Sequence, residues 1–136
     1  MSDRDTVFEP VRQLFGLVWN QGRLELIDRL VTAGVVLHAG RNAVHGRDNF
    51  KTIIADFLIG FPDVQHNIED LVVEGDRVVT RWRGIGHHLG AYDGIAPTGR
   101  AIDYTGITIF RIADGRIDEA WVNAEMPELL ASFREA

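Results

Sequence analysis

The sequence predicts an α+β domain in which helices come first and then pack on one face of a curved antiparallel sheet. Two observations carry this. Apolar residues recur at helical spacing as far as Phe61, and from Val64 onward the period changes to two. The period-two runs are separated by Gly75-Asp76 and Ala113-Asp114-Gly115, turn sequences that tolerate the left-handed backbone of a tight hairpin. A length of 136 residues with no repeat and no Pro/Gly/Ser linker fits a single domain over residues 1–136.

The elements follow in order. From about Thr6 to Asn20, Phe8, Val11, Leu14, Phe15 and Val18 share one helix face, and Thr6 with Glu9 has the form of a capping box. Pro10 is tolerated because it lies in the opening turn, and Gly22 stops the helix. A short helix is expected over Arg23–Val31 and a short strand over Val35–His38. Phe50, Ile53, Ile54, Phe57, Leu58 and Phe61 make the broadest apolar stripe, which Pro62 ends. Strands are expected over Val64–Glu74, Arg77–Leu89, Ala101–Ile112 and Arg116–Glu125, with a closing helical turn or two over Pro127–Phe133.

Composition narrows the function. Hydrophobic residues form 46% and charged residues 25% of the chain, which is ordinary for a globular protein. There is no cysteine, which removes disulfides, thiolate nucleophiles and zinc-thiolate sites, and suits a cytoplasmic location. The net charge of −6 is spread along the chain, and no basic stripe invites nucleic acid. No secretory signal and no apolar run of membrane-spanning length is visible. The five histidines match no metal spacing, since His87 and His88 point to opposite faces of a strand. No Gly-x-Ser-x-Gly elbow is present, and the glycines from Gly84 to Gly90 precede no helix, so neither a serine hydrolase nor a dinucleotide site is expected.

An ordered series of motifs resembles a known family. Phe61-Pro62-Asp63, Arg81-Trp82, Gly86-His87-His88-Leu89-Gly90 and Gly94-Ile95-Ala96-Pro97-Thr98-Gly99-Arg100 resemble the SnoaL-like polyketide cyclases. So do Gly106-Ile107, Ile109-Phe110-Arg111-Ile112, Asp114-Gly115-Arg116-Ile117 and Glu119-Ala120-Trp121, and the likeness runs from about Val11 to Phe133. It implies the nuclear transport factor 2-like fold, a cone of curved antiparallel or mixed sheet wrapped around three N-terminal helices and enclosing a pocket. It also implies intramolecular aldol chemistry run by a carboxylate without cofactor or metal. The family's carboxylate, usually aspartate, stands four residues after the tryptophan of the last strand. That position is Glu125 here, one methylene longer. His88 matches the family's pocket-side histidine, and His87 replaces a frequent threonine.

Aldol closure needs a base beside a carbonyl and a donor for the developing enolate oxygen, and burial lifts a carboxylate pKa toward neutrality. Glu125 is therefore the expected base. It shares a strand face with Trp121 and Asn123, an aromatic wall and a hydrogen-bond partner. If Ile112 pairs with Arg116, Glu125 falls opposite Asp103, and two facing carboxylates would keep one proton between them. His88 is the candidate for polarising a carbonyl. Trp82, Tyr104 and Trp19 are expected either to pack in the core or to flank a planar substrate, and His38 and His66 to lie at the surface or along the pocket. The expected function is a cofactor-independent cyclase- or isomerase-type enzyme acting on a hydrophobic oxygenated small molecule. A non-catalytic pocket protein and an epoxide hydrolase-like enzyme are the alternatives. A homodimer through the outer sheet face is expected, because exposed Ile, Val and Trp side chains there call for a cover.

Overall fold

The computed structural model describes residues 3–134. Helix α1 (Asp3–Gln13) runs on into a wider π-helical turn, Leu14–Trp19. A 3-10 turn (Leu24–Leu26) and the short α2 (Ile27–Leu30) lead into β1 (Val31–Ala39) and β2 (Asn42–His45), a hairpin. Helix α3 (Arg47–Gly60) follows, then β3 (Gln65–Glu74), β4 (Arg77–His87), β5 (Ala101–Ala113) and β6 (Arg116–Ala124). Helix α4 (Met126–Arg134) closes the described chain.

The six strands form one sheet in the order β2-β1-β6-β5-β4-β3, antiparallel except where β1 lies parallel to β6. The layout is the expected α+β one, and the sheet is open and not a closed barrel, since β2 and β3 are edges that do not meet. Strand β2 was hidden by its short, mostly exposed Asn-Ala-Val-His sequence, in which no apolar face repeats. The core lies where the helices meet the concave face. Val11, Phe15 and Val18 from the first helix and Phe50, Ile54 and Phe57 from α3 pack toward Val78, Phe110, Ile117 and Ala120. No described helix is long and apolar enough to cross a membrane.

Within β3 to β6, two hairpins and two bulges set which residues face that core. Gly75-Asp76 joins β3 to β4 as a two-residue turn, with Glu74 opposite Arg77. The second turn is also two residues long, not three: Asp114 (φ 52°) and Gly115 (φ 74°) take the left-handed region, and Ala113 pairs with Arg116. Register then slips by one residue at each of two β-bulges, between Ile68 and Asp70 on β3 and around Asp118-Glu119 on β6. Each bulge sets two consecutive acids against one arginine of the neighbouring strand. Arg81 takes Glu69 and Asp70, and Arg111 takes Asp118 and Glu119.

The Gly90–Gly99 connection is seated on the end of α3. The amides of Leu89 and Gly90 both donate to the Gly60 carbonyl, and Arg134 of α4 pairs with Asp93 at 2.7 Å. A Cβ at Gly90 would overlap the carbonyl oxygen of Ile59, which is backbone and cannot swing aside. Gly90→Ala should therefore lower stability by about 1–3 kcal/mol in urea denaturation, the range of other overpacking changes. Gly34→Ala, where nothing lies within 4 Å, is the control and should stay within about 0.5 kcal/mol. Equal effects at the two glycines would mean that the seat is not closely packed.

Candidate functional site

The concave face is built in cross-strand rows, two of which place large side chains over a glycine. His66, Gly84 and Tyr104 form one row across β3, β4 and β5. Ile68, Trp82, Gly106 and Ala124 form the next, and Thr80, Thr108 and Val122 a third. The glycines are demanded by approach: a Cβ at Gly84 would strike the Tyr104 ring and come within 2.9 Å of His66, and one at Gly106 would strike the Trp82 ring. The small residues thus let His66, Tyr104 and Trp82 lie flat across the sheet.

Between these rows and the helices is a cavity of about 660 Å³. Phe15, Trp19, Phe50, Phe57, Tyr92 and Phe110 supply much of its wall, with Trp82, Tyr104 and His66 on the sheet side and Met126, Pro127, Leu130 and Arg134 from α4. Among the described residues that line it, Arg134 carries the only charged side chain, and no carboxylate is present. Such a lining suits an apolar, largely planar guest held by a few polar atoms.

Four of the polar side chains on the sheet side form two pairs. Trp82 Nε1 donates to Thr108 Oγ1 at 3.0 Å, which satisfies the indole. His66 Nε2 and the Tyr104 hydroxyl are 2.6 Å apart, and the imidazole is 3% exposed. His66 stands between aromatic rings, 4.5 Å from Trp19 and 5.1 Å from Trp82 between centroids. Its backbone is clamped by Asn20: the His66 amide donates to Asn20 Oδ1 at 2.6 Å, and Asn20 Nδ2 donates back to the His66 carbonyl at 3.0 Å. Asn20 follows directly on the π-helical turn. Burial pushes the His66 pKa down to about 3, so the ring is neutral at pH 7. Burial likewise holds the Tyr104 phenol well above its ordinary range.

Of the expected site residues, Trp82, Tyr104 and Trp19 line the cavity, and Asn123 borders it while staying exposed. The expected face of β6 is corrected by its bulge, which turns Ile117 and Ala120 inward and leaves Trp121 outside, stacked on His38 at 5.3 Å. His38 is outside too, 2.6 Å from Glu119, while its neighbours Leu37 and Ala39 face the cavity.

Glu125 does not reach the cavity wall. Its carboxylate accepts from the amide and hydroxyl of Thr105 at 2.8 and 2.7 Å, and these bonds draw its pKa below the usual range, opposite to the expected rise. The expected facing of Glu125 and Asp103 fails for a countable reason. The tighter turn and the bulge each move the register by one residue, so Glu125 meets Thr105 and Asp103 pairs with the guanidinium of Arg83.

His88 is buried but lies behind the wall. Its ring stacks on Phe133 at 4.9 Å, and its Nδ1 accepts from the Thr98 amide at 3.2 Å, fastening the connection before β5 to α4. The site residue that the sequence leaves unranked is His66. Counting back from the Gly75-Asp76 turn without the bulge places Asn67 opposite Gly84. The consecutive acids Glu69-Asp70 beside Arg81 are the one available signal that a residue must be added.

The sequence pattern of the SnoaL-like polyketide cyclases matches residues 9–132. A structure from Jannaschia sp. CCS1, named for the same cyclases, is 26% identical, covering 98% of this chain and 95% of that one with a TM-score of 0.89. IdmH from Streptomyces antibioticus, named as a polyketide cyclase, is 28% identical over 92% of this chain and 96% of its own, with a TM-score of 0.78. TsrD from Streptomyces laurentii is 25% identical over 98% of each chain, with a TM-score of 0.83. No curated protein matches the sequence.

The depressed His66 pKa makes stability depend on acid. Unfolding returns the ring to its ordinary pKa near 6.5, so between about pH 6.5 and 3 the unfolded chain binds the extra proton. Stability present at pH 7 is then lost as the pH falls through that window. Urea denaturation at pH 7 and pH 4.5 should show His66→Gln losing less stability on acidification than wild type, by about 2–3 kcal/mol. An identical loss in both proteins would show that His66 does not carry this proton linkage.

Proposed function

Because the chain belongs to the SnoaL-like polyketide cyclase family, we propose that it is a cofactor-independent enzyme that closes or isomerises a hydrophobic, oxygenated small molecule in its cavity. The carrying observation is the aromatic-walled space of about 660 Å³ with a buried imidazole–phenol pair on its sheet side. An intramolecular aldol closure forms one carbon–carbon bond and moves one proton from a carbon flanked by carbonyls to the attacked carbonyl oxygen. It consumes no oxidant and no cofactor. What the protein must supply is a folded, dehydrated guest and polar contacts where charge develops, and this wall is suited to both.

A silent binding protein is the second reading, favoured by the lack of any carboxylate among the described lining residues. An epoxide hydrolase-like reaction has less support, since the described residues of that wall include no carboxyl group to open the ring or activate water. We also propose that a second copy of the chain covers the outer face, where Ile85, Ile107 and Ile109 stand 41%, 48% and 36% exposed on adjoining strands.

Ring closure of an aromatic β-keto ester, followed by chromatography and mass, tests the enzymatic reading. Wild type should form the cyclised product, and Val122→Phe, which fills the cavity from β6, should slow it at least about 100-fold while keeping the fold. Glu125→Gln should stay within about threefold of wild type. A loss of about 100-fold in that variant would instead return the chemistry to the end of β6. Binding of the ester without product would favour the silent protein. Sedimentation equilibrium should give twice the chain mass for wild type and a lower mass for Ile107→Glu.

A further inference from the structure

We propose that the Tyr104 hydroxyl is the hydrogen-bond donor that receives the carbonyl oxygen of a ketone guest, and that His66 holds it in that role. The inference rests on the reading of the cavity as a substrate site and assigns the chemistry of its sheet side. It follows from accounting for protons. His66 Nδ1 is buried and has no partner among the described residues. If the imidazole proton sat there, a buried N–H would be stranded, which folded proteins rarely accept; a stranded lone pair is better tolerated. The proton therefore sits on Nε2 and is donated to the Tyr104 oxygen across 2.6 Å. The phenol's own proton is then left over. Among the described residues no acceptor other than His66 is bonded to Tyr104, and Tyr104 lines the cavity.

The neighbourhood is arranged for this pair. Gly84 lies between the two side chains in their row and leaves the space that a Cβ would take from both. The Asn20 side chain fixes the His66 backbone from both its amide and its carbonyl. The Trp82 indole is already spent on Thr108, so it does not compete for the guest. A neutral donor suits a carbonyl whose oxygen becomes negative as an enolate forms, because the bond strengthens as charge develops. Tyr104 would then be the catalytic contact and His66 a positioning residue acting through it.

The probes are an acetylnaphthalene and its isopropenyl isostere, in which a methylene replaces the carbonyl oxygen. Binding is read by quenching of tryptophan fluorescence, and the bound ketone's carbonyl stretch by infrared difference spectroscopy. Wild type should bind the ketone about tenfold more tightly than the isostere, as one well-made hydrogen bond in a dry site allows, and should shift the stretch to lower frequency. Tyr104→Phe should bring the affinity ratio near one and remove the shift while isostere binding persists. His66→Leu should lose most of the shift, and His66→Gln, which can keep an N–H near Nε2, should restore part of it.

An unshifted carbonyl in wild type, or a preference that survives Tyr104→Phe, overturns the proposal. A shift unchanged in His66→Leu removes His66 from it. Failure of both probes to bind wild type would instead count against the cavity as a small-molecule site, and the assignment would fall with that reading.

Discussion

The concave face depends on two bulges, each held where one arginine faces two consecutive acids. Arg81 with Glu69 and Asp70, and Arg111 with Asp118 and Glu119, lie on the outer side of the sheet. The Arg81 pairs are exposed and the Arg111 pairs half-buried, and solvent-screened pairs of this kind contribute little stability individually, about 0–1 kcal/mol. Their importance here is geometric. At each bulge two residues oppose one, the alternation of the strand reverses, and the residues beyond it change sides. Without the first bulge His66 would leave the Tyr104 row, and without the second Glu119 and Trp121 would replace Ala120 and Val122 on the inner face.

Much of the fold was legible because its elements are long and periodic. The α3 stripe and the runs that became β3 to β6 predicted helix and strand within a few residues. The Gly75-Asp76 turn was placed correctly. Short or irregular pieces were not legible. Strand β2 has four residues and no buried face, and the π-helical turn at Leu14–Trp19 leaves no mark in a pattern of apolar residues that fits an ordinary helix equally well.

The cavity was legible only in part, for a related reason. Trp19, Trp82 and Tyr104 could be recognised as aromatics at inward spacing. Glu125, Asp103, Trp121 and His38 were placed by counting along strands, and counting fails wherever a residue is added. The resemblance led to Glu125 as the base, yet its carboxylate is tied to Thr105 and ionises more readily than usual. His88 shows that burial and recognition by motif do not together make a cavity residue: the ring expected to polarise a carbonyl stacks against Phe133 and joins the loop to α4.

The bulge on β3 also bears on how such a pocket can diversify. Substitutions in the wall exchange one side chain at a time and leave the rest of the face in register. A change of length at Glu69-Asp70 is different in kind, because it trades the whole run beyond it for its alternates and presents Asn67 where His66 now stands. Two lineages separated by a single inserted codon could therefore share nearly every residue and still hold unrelated polar groups inside.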